Sequence, residues 1–257
     1  MIIDIHNHRG PMPNMLIMDH SLPRILDTMD RLGIQVSFGC NSLCLTHEDF
    51  KNGAKQACED YILSSGRLRA FFFYHPKKAD ESLKVMRDYL KEPAFCGIKI
   101  HPATSKTYAD DESYRPVWEF AAQNALPIQA HTWDVSSYNP IQKYSFPSHF
   151  EKYVKAYPTV PLFMAHCGGR YNGIVEAARL GREYPNIFYD IAGDIYANGF
   201  LEYLVSQVGA SRIFYGSDCP MMDQREMLGV VYGADISIED KERILFKNAN
   251  EFFGLKL

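Results

Sequence analysis

Apolar positions in this chain gather into short runs rich in β-branched and aromatic residues. Longer stretches lie between them, where apolar residues recur every third or fourth position. The runs are IIDIH from Ile2, IQVSFGC from Ile34, LRAFFFYH from Leu68, FCGIKIH from Phe95, LPIQAH from Leu126, VPLFMAH from Val160, NIFYDIAG from Asn186 and RIFYGSD from Arg212. Apolar throughout instead of alternating, they read as strands covered on both faces, as in a parallel sheet. Successive runs start 26 to 34 residues apart, which accommodates a strand, a crossover helix and two loops.

The stretches between carry helix signals. Ser21 and Pro23 open a segment with Ile25, Leu26, Met29 and Leu32 on one face, closed by Gly33. Thr46 with Asp49 approximates a capping box for a helix reaching Ser65. Further helices are predicted over 81–90, 114–125, 148–157, 173–184 and 199–208, and two more after the last strand over 225–230 and 237–253. Eight strand–helix units predict an α/β fold, a (β/α)8 TIM barrel forming a single domain over residues 1–257. An open doubly wound sheet is the alternative, but neither a G-x-G-x-x-G nor a G-x-x-x-x-G-K-[ST] loop supports it.

Composition narrows the function classes. With 46% hydrophobic and 23% charged residues, the chain has ample material for a core, and disordered or disulfide-scaffold classes are excluded. A net charge of −4 supplies no positive field for nucleic acid or anionic lipid. No run approaches the roughly 20 apolar residues of a membrane helix, and MIIDIHNHRG lacks the features of a signal peptide, so a cytoplasmic protein is expected. The six cysteines form no C-x-x-C pair and read as reduced packing residues.

In such a barrel, chemistry sits where the strands end. Six of the nine histidines close or follow the apolar runs: His6, His8, His75, His101, His131 and His166, joined by Lys99, Asp190 and Asp218. A strand's period of two places His6 and His8 on one face, pointing into the mouth. A lone strand histidine is more often a hydrogen-bonded core residue, and H-x-H alone is a weak pattern. Together with A-H-T, A-H-C-G-G and G-S-D at other strand ends, it predicts one divalent metal ion, Zn²⁺ first. His6, His8, His131 and Asp218 would be its ligands. His75 reads as a turn residue before Pro76, and Cys167 and Cys219 as packing.

With D-I-H-N-H, G-I-K-I-H-P, Q-A-H-T, M-A-H-C-G-G, Y-G-S-D-C-P and the closing N-A-N-E-F-F-G-L in that order, the sequence resembles the amidohydrolase superfamily. The resemblance is to its amidohydrolase-related branch, which contains aminocarboxymuconate-semialdehyde decarboxylase, aromatic-acid decarboxylases and lactone hydrolases. It implies that His6, His8, His131 and Asp218 bind a single metal and that His166 stands beside it without ligating it. In some relatives a strand-four lysine is carbamylated and bridges two metals. Here Lys99 is followed by Ile100 and His101, a pattern of the mononuclear branch, so Lys99 is read as a substrate contact. Relatives are often dimers, which makes a homodimer the assembly to test.

Zn²⁺ lowers the pKa of bound water to about 7, which makes hydroxide available at neutral pH. Asp218 would carry the proton, and His166 would polarise the attacked carbonyl. Arg9, Lys99, His101 and Arg170 would hold an anionic small-molecule substrate, and Trp133, Tyr138 and Tyr144 could wall the mouth. The main expectation is a hydrolase of a lactone, amide or ester, favoured by a chain short for its branch. The alternative is decarboxylation of an unsaturated or aromatic acid by the same ligands. Metal-dependent deoxyribonuclease-like barrels fit less well, because the fourth strand lacks their glutamate. A non-catalytic binding barrel would be marked by a missing ligand, and all four are present.

Overall fold

Runs buried on both faces and spaced by one helix can satisfy their backbone only in a parallel ladder. The computed structural model, which describes residues 1–12 and 15–257, forms that ladder with eight strands in sequence order. They are β1 (Ile2–Arg9), β2 (Ile34–Asn41), β3 (Leu68–Tyr74), β4 (Phe95–Ile100), β5 (Ile128–His131), β6 (Leu162–Ala165), β7 (Ile187–Asp190) and β8 (Ile213–Phe214). All seven neighbouring pairs are parallel. The chain is a single-domain (β/α)8 TIM barrel. No helix among the described residues is long and apolar enough to cross a membrane.

The helices are α1 (Leu22–Leu32), α2 (Ser42–His47), α3 (Phe50–Leu63), α4 (Ala79–Tyr89), α5 (Pro102–Ser105), α6 (Arg115–Asn124), α7 (Glu151–Ala156), α8 (Asn172–Glu183), α9 (Phe200–Val208), α10 (Gln224–Gly233), α11 (Ile238–Glu242) and α12 (Asn248–Phe252). Ser21 caps α1 and Gly33 ends it with φ +73°, as its sequence signals predict. The capping box does not form. Asp49 caps α3 alone, and Thr46 lies inside the separate turn of α2, where its hydroxyl donates to Ser42 O at 2.8 Å. That back-bond to the carbonyl four residues earlier competes with capping.

The two ends of the barrel differ. At the bottom, Ile3, Ile5, Val36, Phe38, Phe163 and Phe214 fill the interior. Phe252 and Phe253 from the C-terminal segment plug it, with Phe253 stacked 4.4 Å from Phe38 and Phe252 5.0 Å from Phe163. A register shift in β1 between Asp4 and Asn7 then changes which side chains face inward, so that His6 and His8 open into the mouth. The closing seam is thin. β8 is two residues long, and the loop after it completes the circle through Ile5 N–H to Tyr215 O (3.0 Å), Asp218 N–H to His6 O (2.8 Å) and His8 N–H to Cys219 O (2.6 Å).

Candidate active site

At the C-terminal ends of the strands lies a cavity of about 710 Å³. Its floor is His6, His8, Lys99, His131, His166 and Asp218, and its upper wall includes Met12, Leu45, Trp133, Tyr138, Met221 and Met222. His6 is held from both sides. Its Nδ1 lies 3.0 Å from both oxygens of the buried Asp190, so the N–H is there and the Nε2 lone pair faces the cavity. That lone pair accepts from Lys99 Nζ at 3.0 Å. Gln129 ties the floor together, accepting from Lys99 Nζ at 3.2 Å and donating to Asp190 Oδ2 at 3.0 Å and Ile5 O at 2.9 Å.

Asp218 hangs over this floor from a residue with φ +61°, a left-handed conformation rare outside glycine. Its Oδ1 is 3.1 Å from His8 Nε2 and 3.5 Å from His6 Nε2, yet it finds no hydrogen bond of good geometry among the described residues. Burial alone would raise its pKa. The imidazoles of His8, His6 and His166 outweigh that and hold the carboxylate well below its ordinary range. Burial also pushes Lys99, His101 and His131 below their ordinary values, and His166 down to about 4.

This donor set fits a divalent ion. One ligand atom each from His6, His8 and Asp218 lies within 4.8 Å of the others, and two imidazole nitrogens with a carboxylate are ligands that zinc and manganese accept. The orphaned Asp218 Oδ1 is the atom such an ion would satisfy. Burial favours the neutral Lys99 amine, which lessens its repulsion of a cation.

His131 stands one contact away from this triad. Its Nδ1 lies 3.0 Å from His166 Nε2 and its Nε2 2.9 Å from Gln142 Oε1, so both ring nitrogens are engaged elsewhere. His166 Nδ1 lies 2.9 Å from Ala192 O. With carbonyl oxygens at both ends, three hydrogen bonds need three N–H protons on two imidazoles, one more than a neutral pair carries. His101 stacks on His131 at 3.9 Å, and its Nδ1 accepts from Thr104 N–H at 3.2 Å, which leaves the N–H on Nε2.

The four substrate candidates separate. Lys99, His101 and Arg170 line the cavity. Arg9 does not. Its guanidinium makes a two-pronged pair with Asp60 at 2.7 and 3.0 Å and donates to His20 O, because the residue after His8 alternates to the opposite face. Arg170 is paired with Asp194 and lies over the rings of Trp133 and Tyr196. Trp133 and Tyr138 form wall, whereas Tyr144 packs on Tyr108 at 4.7 Å. Asp190, Gln129 and Gln142 were not assigned roles from sequence. Asp190 ends a strand like the histidines it supports, and that position marks it among the polar strand ends, though without a role; the glutamines carry no such signal.

A family model for amidohydrolases matches residues 3–255. The chain belongs to the amidohydrolase family. Among solved structures, this amidohydrolase is similar to an uncharacterized TIM-barrel protein of Bordetella bronchiseptica, at TM-score 0.78 and 15% identity over 98% of each chain. It is also similar to 2,6-dihydroxybenzoate decarboxylase from Rhizobium, at TM-score 0.75 and 16% identity over 100% of this chain and 99% of that one. A third is 5-carboxyvanillate decarboxylase from Novosphingobium aromaticivorans, complexed with manganese and 4-hydroxy-3-methoxy-5-nitrobenzoic acid, at TM-score 0.76 and 15% identity over 99% and 96%. A sequence comparison with curated proteins finds no match.

Proposed function

We propose that this amidohydrolase-family chain is a metal-dependent decarboxylase of a hydroxylated aromatic carboxylic acid. The observation that carries the reading is the His6–His8–Asp218 triad beneath a wall of methionine and aromatic side chains, a floor for a metal and a slot for a flat, apolar ring. The decarboxylases among its structural neighbours favour this reading over hydrolysis, which the sequence ranked first. The chain's shortness argues little for a hydrolase, since the alignment spans 99% of the Rhizobium decarboxylase. Loops can shorten without touching the barrel that carries the site.

His6, His8 and Asp218 would hold the ion, with His131 a further donor once it releases His166. When bound, the metal supplies Lewis acidity toward the substrate's oxygen atoms; manganese, present in two of the neighbours, stands beside zinc as the candidate. The chain's residues do the rest. Loss of CO2 breaks the ring–carboxylate bond and leaves its electron pair on the ring carbon, which must take one proton. That proton can come from the substrate's phenol, relayed to the carbon by the Asp218 carboxylate, whose Oδ1 is unpartnered on the cavity floor. The His131–His166 pair, one proton short of filling its hydrogen bonds, can hold a proton at the shared position between Nδ1 and Nε2. His101 offers a neutral Nε2–H, and Lys99 and Arg170 offer donors for substrate oxygens. The methionine and aromatic wall offers apolar contact to the substrate ring.

The test is a panel of dihydroxybenzoates, carboxyvanillate-type acids and lactones, offered to protein loaded with Mn²⁺ or Zn²⁺, with CO2 release and ring opening followed separately. CO2 evolved from an aromatic acid supports the reading. Ring opening of lactones without CO2 from any acid overturns it in favour of the hydrolase.

A further inference from the structure

We propose that Asp4, which is not among the residues lining the active-site cavity, is a positioning residue that aims Asp218 at the metal triad. The inference rests on the reading that His6, His8 and Asp218 hold an ion. Asp4 is fully buried at the seam between β1 and the loop after β8. Its Oδ1 accepts the N–H groups of His6 (3.1 Å) and Ser217 (3.0 Å). Its Oδ2 accepts the Ser217 hydroxyl (2.6 Å) and the side-chain amide of Gln224 (3.4 Å). The Ser217 hydroxyl in turn accepts Cys219 N–H at 3.1 Å.

The consequence falls on the residue between. Asp218 is flanked by two N–H groups fixed directly or indirectly by Asp4, while its own N–H donates to His6 O at 2.8 Å. A non-glycine residue at φ +61° is strained and persists only where its surroundings over-determine it. β8 ends after Phe214, and at this thin seam the Asp4 carboxylate adds its bonds to the backbone pairs of Asp218 with His6 and of His8 with Cys219, while it also fixes the backbone of His6. Asp4 thereby sets the spacing of Asp218 Oδ1 from the His6 and His8 ring nitrogens without bonding to either ring.

The experiment compares the parent with Asp4→Ala, Asp4→Asn and Ser217→Ala. Zn²⁺ affinity is measured by competition with a chromophoric chelator, alongside circular dichroism and thermal unfolding of the metal-free proteins. Asp4→Ala is expected to fold and to bind Zn²⁺ about tenfold or more weakly. Asp4→Asn, whose amide oxygen still accepts the two backbone N–H groups, should recover part of that loss. Ser217→Ala, which removes only the hydroxyl, should weaken binding in the same direction and carries the test if Asp4→Ala does not fold. Folded variants with Zn²⁺ affinity within twofold of the parent, whatever their melting temperature, overturn the proposal and leave the metal reading intact. A parent that binds no Zn²⁺ overturns both.

Discussion

Replacing Asp190 with Asn tests the support of His6 with almost no change in shape. The Asp190 carboxylate accepts from His6 Nδ1 (3.0 Å), Gln129 Nε2 (3.0 Å), His166 N–H (3.0 Å) and Ala192 N–H (3.2 Å). It offers no donor, and its neighbours are all donors. An Asn there can keep its oxygen toward the two backbone N–H groups, but its NH2 then meets the Gln129 amide or the His6 Nδ1–H. One buried donor loses its acceptor, at a cost of about 1–3 kcal/mol to the metal-free fold. His6 loses the anion that fixes its tautomer and raises its basicity, for which a metal affinity 10–100-fold weaker, about 1.4–2.7 kcal/mol, is expected. The assay is chelator competition with Zn²⁺ and Mn²⁺, with Asp194→Asn at the rim as a control that leaves affinity unchanged. Unaltered affinity in a folded Asp190→Asn protein would refute the argument, because His6 would then present Nε2 to the metal without its partner.

The barrel is legible because each strand announces itself by composition. Eight apolar runs at near-constant spacing leave little freedom of topology, and all eight became strands. The mouth is legible for the same reason, since a polar residue ending an apolar run stands at the mouth. His6, His8 and Asp218 meet although more than 200 residues separate the first from the last. What sequence could not read is which ring nitrogen faces what. His131 follows the same rule as His6, yet Gln142 and His166 engage both its nitrogens, and Gln142 comes from a single short 3-10 helix, Pro140–Ser145, too brief to show a periodicity in the sequence. Arg9 was misplaced by proximity: next to His8 in sequence, it points to the other side of the strand, toward Asp60. Asp4 was passed over as part of an apolar run, because only the shortness of β8 gives it a task.

The other predictions concern the triad, its neighbours and the buried thiols. His6→Ala or Asp218→Asn should sharply lower the metal content of purified protein, measured by elemental analysis; stoichiometric metal in both would remove them from the ligand set. His166→Ala should keep the metal and lose turnover, whereas retained turnover would deny His166 a part in proton handling. Raising the pH should destabilise the protein through Cys40, whose thiol burial pushes up from 9.0 to about 12. Its contribution is complete below pH 9 and lost between 9 and about 12, since the unfolded chain releases the proton first. Thermal melts across that range should decline less steeply in Cys40→Ala. Gly193→Ala isolates the hydrogen bond that orients His166. At φ +93° an L-residue is strained, and the added Cβ would lie 2.7 Å from His166 Nδ1, the nitrogen now 2.9 Å from Ala192 O. The imidazole must turn away, so turnover should fall while metal affinity stays near the parent's, because no triad ligand is touched. If chelator competition shows the metal lost as well, then His166 and the triad move as one unit and cannot be assigned separate roles.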